Sequence, residues 1–150
     1  MNKTIGLGLA ALLAIGAVIG LLRVSSPGGS DGPPAPADAF DAEGTFEDEE
    51  GNRIYTFELN AGASAQIVRD FANGLEFTAG FLTAAYFYAE DAVIPLHSVS
   101  LASGLDQAHG AIYEARGFSP WQFAFMRTPE GEVRFVDCQQ TPDDELCRKN

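Results

Sequence analysis

The sequence is poor in the residues that most metal and redox sites require. It contains two histidines and two cysteines in 150 residues. Two histidines exclude a His-rich metal site, and Cys138 and Cys147 lie too far apart for the Cys-x-x-Cys spacing of redox motifs. The chain also lacks a nucleotide-binding glycine pattern, a haem or kinase motif, EF-hand spacing and a Gly-x-Ser-x-Gly nucleophile elbow. We therefore expect no metal site and no cofactor, and a mixed His/carboxylate metal site is the alternative.

Basic residues are scarce as well. The nine Lys and Arg residues stand against 21 Asp and Glu residues, so the net charge is −12. Residues 24–50 contain eight acids and no base, which places most of the net charge there. Because an acidic chain repels phosphate groups, nucleic acid is excluded as a partner.

The N-terminal region does contain an uncharged apolar run, from Ile5 to Leu22. As a helix this run would span roughly 27 Å, close to the hydrocarbon thickness of a bilayer. It ends without an Ala-x-Ala cleavage site, and Arg23 follows it. We therefore expect an uncleaved signal-anchor over residues 1–23, which holds the chain in a membrane through residues 5–22. The alternatives are a cleaved signal peptide and a buried core helix.

Residues 24–43 are predicted to form a disordered linker. Ser25–Asp38 is rich in Pro, Gly and Ser and too poor in apolar residues to order itself. The alternative is a docking peptide in which Pro33–Pro36 acts as a short polyproline ligand. The folded domain is then residues 44–150, because 15 of the 16 aromatic residues lie after position 45.

The two cysteines, Cys138 and Cys147, are predicted to form a disulfide that closes the C-terminal tail. Disulfides persist in oxidising compartments. Lys3 and the N-terminal amine favour a cytoplasmic N-terminus, although Arg23 pulls the other way. We expect a single-pass protein of the cytoplasmic (inner) membrane, with its C-terminal domain on the periplasmic, extracytoplasmic side.

The folded part is predicted to be α+β: a small antiparallel sheet with about two helices packed on one face. A first hairpin turns at Gly51-Asn52, and a second joins Trp121–Arg127 to Val133–Cys138. Alternation along the first strand of the second hairpin predicts one shared face for its three rings, those of Trp121, Phe123 and Phe125.

Two helices are predicted. The first is capped by Asn60 or Ser64 and runs to about Asn73. The second begins at Ser103 and runs to about Arg116, and its apolar stripe includes Leu101.

The stretch between these helices is ambiguous, because apolar residues occupy every face and periodicity does not decide. We expect a buried strand within Phe81–Ala89 and an extended piece over Val93–Ser100. A helix over residues 75–90 is the alternative.

No catalytic residue is assigned, but three candidates stand out. Asp106 and His109 share a helical face with Tyr113, and an Asp that orients a His is half of a general-base arrangement. His97 lies in an apolar-alternating stretch, where it could titrate in a cleft beside Glu90 or Asp91. The alternatives are a solvated helix surface for the first pair and a hydrogen-bonded structural role for His97.

Aromatic residues supply the candidate interaction surface, which consists of Tyr86, Tyr88, Phe118 and Trp121. At strand spacing such rings also suit a core, which is the alternative interpretation. The Phe118–Trp121 loop is the exception, because Phe and Trp beside a Pro suit a contact patch.

These observations predict a membrane-anchored extracytoplasmic interaction domain. We expect an accessory or assembly subunit of an envelope membrane complex, partnered by a membrane or envelope protein. The first alternative is a ligand-binding or enzymatic domain of hydrolase or isomerase type, with a His/carboxylate pair in a cavity between sheet and helices. The second is a secreted inhibitor or binding module, which requires cleavage of the N-terminal segment.

Overall fold

The computed structural model describes residues 39–114 and 116–147, which form one sheet and three helices. The first strand begins at Phe40, so the sheet includes residues that the sequence assigned to the linker. The predicted anchor and linker residues 24–38 lie outside the described residues. None of the described helices has the length and hydropathy that a bilayer crossing requires. In chain order the elements are β1 (Phe40–Glu47), β2 (Arg53–Leu59), α1 (Ala65–Asn73), β3 (Thr83–Tyr88), α2 (Leu96–Ser100), α3 (Leu105–Tyr113), β4 (Trp121–Arg127) and β5 (Val133–Asp137).

The five strands lie side by side in chain order, β1-β2-β3-β4-β5. The β1–β2, β3–β4 and β4–β5 pairs are antiparallel, as predicted. The β2–β3 pair is parallel, so the expected all-antiparallel sheet is wrong in this respect. The reason is the connection: a parallel pair needs a long crossover, and α1 lies in the segment that joins β2 to β3.

Helices cover both faces of the sheet, and the expectation of two helices on one face is also corrected. α1 packs through Val68 and Ala72 against one face, while α2 and α3 pack against the other. The cause lies in β3, in which all six residues are buried. A strand that is apolar on both sides has to be covered on both sides.

The ambiguous stretch resolves into a strand and a short helix. β3 confirms the buried strand predicted within Phe81–Ala89, and the alternative helix over residues 75–90 is wrong. The extended piece over Val93–Ser100 is wrong too, because Leu96–Ser100 forms α2. The predicted first helix is confirmed as α1, and the Ser64 hydroxyl caps it by accepting the Ile67 N–H at 3.3 Å.

An irregularity in the sheet separates the three rings of β4. Phe123 pairs with Phe87, but Trp121 pairs with Tyr88, so one extra residue of β4 lies between the two pairs. Such a bulge reverses the alternation of side chains. Trp121 therefore packs on the α2–α3 side, and Phe123 and Phe125 pack on the α1 side. The predicted shared face holds only for the two phenylalanines.

Helix α2 covers the outer edge of β1. The Thr45 N–H of this strand donates to the Ser100 hydroxyl of α2 at 3.3 Å. Close approach is possible because residue 44 is glycine. A Cβ there would lie 3.1 Å from the Cα and the carbonyl oxygen of Leu96. This contact fixes where α2 lies, and hence where it meets α3.

Candidate functional site

The predicted disulfide between Cys138 and Cys147 is present, and it closes the C-terminal tail, residues 138–147, against the domain. Leu146 in this tail is buried, and its carbonyl accepts the indole N–H of Trp121 at 2.9 Å. Arg134 on β5 forms an ion pair with Asp144 at 3.0 Å. A disulfide of this kind is consistent with an oxidising, extracytoplasmic setting.

Three of the four candidate interaction residues lie beneath this tail. Tyr86, Tyr88 and Trp121 are each at most 3% exposed. The Tyr86 and Trp121 rings meet edge-to-face with centroids 4.9 Å apart. The Tyr86 hydroxyl lies 3.2 Å from that of Tyr113, and burial raises the pKa of Tyr86 well above its usual value. These rings stabilise the core and are not accessible to a partner.

Phe118 is partly exposed and belongs to a small surface beside the tail. The Ser119 hydroxyl joins the Phe118 loop to the loop between β3 and α2, because it accepts the Val93 N–H at 3.0 Å. Val93 is 56% exposed. A cleft of about 440 Å³ adjoins this loop, and Glu90 and Asp91 are among the residues that line it. The predicted contact patch is thus reduced to Phe118 and its immediate neighbours.

The predicted Asp106–His109 pair is not assembled. The His109 ring stacks instead on Tyr113, with centroids 4.3 Å apart and planes 18° apart. Both Asp106 and His109 are exposed, and within the described part of the chain no hydrogen bond or ion pair joins them. As a result, no carboxylate orients the His109 ring. The ring instead covers one face of the Tyr113 ring.

His97 lies in a different environment from the one the sequence suggested. It is exposed on α2 and borders a groove of about 540 Å³ between α2 and α3. Asp106 and Glu114 border the same groove, whereas Glu90 and Asp91 do not. The structure therefore brings together His97 and Asp106, which the sequence had treated as separate candidates.

We call this feature the α2–α3 groove and define it by the residues that line it: His97, Ser98, Leu101, Asp106, Gln107, Gly110, Ala111 and Glu114. Leu101 is 78% exposed and caps the C-terminus of α2. The sequence placed this residue in the buried stripe of the following helix, which is wrong because α3 begins only at Leu105. No sequence signal could have identified the groove, because it depends on α2.

The Asp and Glu side chains that line the groove, Asp106 and Glu114, give it negative charge. At one end it continues into a depression lined by Asp48, Glu49 and Glu50 of the β1–β2 turn, and the two share Asp106. Lys and Arg do not occur among the described residues that line either part. The Asp48 carboxylate is occupied, because it accepts the Asn52 side-chain N–H at 2.8 Å. That hydrogen bond, with further ones from the turn backbone, lowers the pKa of Asp48.

In residues 39–114 and 116–147, no group of three or more His, Cys, Asp or Glu side chains is arranged to hold a metal ion. Comparisons with protein-family models, with curated proteins and with solved structures find no match to this chain. The functional conclusion therefore depends on the surfaces described above.

Proposed function

We propose that this protein is a membrane-anchored extracytoplasmic interaction domain, an accessory or assembly subunit of an envelope membrane complex, and that it binds its partner through the α2–α3 groove. The partner is a membrane or envelope protein. The single observation that carries the proposal is the exposure of Leu101, which lines this groove and is 78% exposed. An exposed aliphatic side chain that borders a groove offers a partner apolar surface to bury.

The proposed location is supported by two independent features of the chain. The uncharged run from Ile5 to Leu22 has the length of a membrane anchor. The Cys138–Cys147 disulfide suits an oxidising compartment. A tether at the membrane and a domain outside the cytoplasm would place the groove within reach of envelope proteins.

A test begins with tagged, natively expressed protein purified from detergent-solubilised membranes. We expect a stoichiometric partner with the wild type. Leu101→Ser removes the apolar anchor without burying anything new, and we expect it to lose the partner. Val133→Ser is the matched control, because Val133 is another exposed aliphatic residue, 45% exposed on β5.

Three outcomes would contradict the proposal. The first is a lone monomer in the membrane fraction. The second is equal loss of the partner in the Leu101 and Val133 variants, which would mean that the groove has no special role. The third is recovery from the soluble fraction with an N-terminus near residue 25, which would remove the anchor.

One observation favours a second candidate function, a ligand-binding or hydrolase/isomerase-type domain: His97 shares the α2–α3 groove with Asp106 and Glu114. A His with a neighbouring carboxylate is suited to proton transfer. Screening of the purified chain with ester and amide substrates would test this. Activity that His97→Ala abolishes and His109→Ala preserves would support it, and inactivity of the wild type in the screen would count against it.

A further inference from the structure

We infer that the α2–α3 groove binds a basic, amphipathic segment of the partner protein: Lys or Arg residues around one aliphatic or aromatic side chain. This inference rests on the proposed function and names the chemistry of the partner at the same site. Three properties of the groove support it, namely its apolar part, its rim and the charge of the rest of the chain.

The groove has an apolar part, formed by Leu101, Gly110 and Ala111, and Gly110 keeps it open. Glycine in a helix interior is unfavourable by about 1 kcal/mol relative to alanine, yet α3 has Gly110 in its second half. A Cβ at this position would lie 3.7 Å from a carboxylate oxygen of Glu114. No other side chain of the described residues lies within 4 Å of that Cβ, so a side chain larger than alanine would project into the groove, into space that an incoming apolar residue can occupy.

The rim of the groove carries negative charge that the domain does not neutralise. Asp106 and Glu114 are exposed, and no ion pair to either occurs among the described residues. Glu49 and Glu50 extend the charge into the adjoining depression. A segment with cationic side chains on both sides of an apolar residue would complement this pattern, and such complementarity sets specificity and association rate.

Other occupants fit poorly. Residues 24–38 contain acids and no base, so the predicted linker is repelled by the rim. A second copy brings another net charge of −12, and anionic lipid headgroups bring negative charge as well. The basic pair Arg148-Lys149 follows Leu146 and Cys147, but both of these apolar residues are buried in the core and so do not reach Leu101.

The test is fluorescence anisotropy with the full-length chain in a neutral detergent. The probe is a labelled Lys-Ala peptide with one central Leu, which is too weakly apolar to enter micelles, and empty micelles give the baseline. We expect saturable binding that weakens with added salt. We also expect a Glu-Ala peptide with the same central Leu not to bind.

Variants then separate the groove from overall charge. We expect Asp106→Asn combined with Glu114→Gln to weaken binding about tenfold. Glu130→Gln combined with Asp143→Asn makes the same change in net charge at two exposed residues outside the groove, and we expect an effect within about twofold. Gly110→Met fills the groove without a change of charge and is expected to reduce affinity about tenfold.

Equal weakening by the two charge pairs would overturn the inference, because bulk charge would then explain the binding. Tight binding by Gly110→Met, or no binding by the wild type, would overturn it as well. Unchanged emission from the single tryptophan, Trp121, checks that each variant is folded. If the natural partner is still lost in Leu101→Ser while the Lys-Ala peptide fails, the interaction domain stands and only the basic segment is discarded.

Discussion

Removal of the Cys138–Cys147 disulfide gives the most quantitative prediction. The two cysteines are nine residues apart, and closing a loop of about ten residues is worth about 2.7 kcal/mol in the chain-entropy model. Once the bond is lost, the tail is held mainly by buried Leu146, by the hydrogen bond from Trp121 to the Leu146 carbonyl, and by the ion pairs of Arg134 with Asp144 and Glu145. Ordering each residue costs about 1–2 kcal/mol, so we expect the tail to detach.

Detachment limits the loss of stability, so about 2.7 kcal/mol is the upper bound. We expect the Cys138→Ser/Cys147→Ser protein to unfold at a urea concentration about 1–2 M lower than the wild type. We also expect its native-state emission to be red-shifted, because the single tryptophan, Trp121, becomes hydrated. The assay is urea unfolding of the full chain in detergent, followed by tryptophan emission and circular dichroism.

The control is reductant, which should shift the wild type to the behaviour of the double variant and leave the double variant unchanged. A double variant with the wild-type midpoint and the wild-type emission would refute the reasoning, because neither loop entropy nor cover of Trp121 would then depend on the bond. Trp121→Phe removes the hydrogen bond together with part of the ring packing. The Leu146 carbonyl loses its donor, and we expect a loss of at least about 1–3 kcal/mol by circular dichroism.

Three further predictions concern the packing and ionisation of the domain. Gly44→Ala should cost about 2 kcal/mol or more in urea unfolding, because its Cβ would meet the backbone of Leu96 at 3.1 Å; Gly104→Ala, where a Cβ meets nothing within 4 Å, is the control and should cost about 0.5 kcal/mol. The lowered pKa of Asp48 means that, just below pH 3.8, the unfolded chain binds a proton at this residue more readily than the folded chain does. The ionised Asp48 therefore stabilises the fold above that pH, and this stabilisation is lost as the pH falls through the folded-state pKa. Asp48→Ala should therefore flatten the fall of the unfolding free energy below that pH, and a variant with the wild-type slope would contradict the assignment. The raised pKa of Tyr86 predicts a tyrosine absorbance change above pH 10 that appears only on unfolding, and ionisation of all four tyrosines in the native protein would disprove this.

Local pattern predicted the elements whose amphipathic period is clear. Ser64 and the helical spacing after it correctly gave α1, and alternation correctly gave β4 and β5. The same alternation gave the wrong face for Trp121, because the bulge depends on how β4 pairs with β3. Periodicity reports which residues share a face only while the pairing register is regular.

The candidate site was less predictable than the fold, because it depends on a five-residue helix. Leu96–Ser100 alternates like a strand, and its sequence gives no clear helical stripe. In the structure this segment is helical, and it contacts a strand that is distant in sequence, β1, at Gly44 and at the backbone of Thr45. The exposure of Leu101 follows from that helix. The disulfide was predictable, since the chain has only two cysteines and they are close in sequence.

The order of the strands has a consequence for how the protein is made. Because the spatial order β1-β2-β3-β4-β5 is the order of synthesis, each strand pairs with the strand that emerged just before it. No early strand has to wait for a late one. Only β1–β2 and β4–β5 are local hairpins, because helices separate β2 from β3 and β3 from β4 in the chain. The last covalent step joins residues only nine apart. A chain that emerges N-terminus first can therefore build the sheet progressively, by adding each new strand to the one made before it, until the disulfide closes the tail.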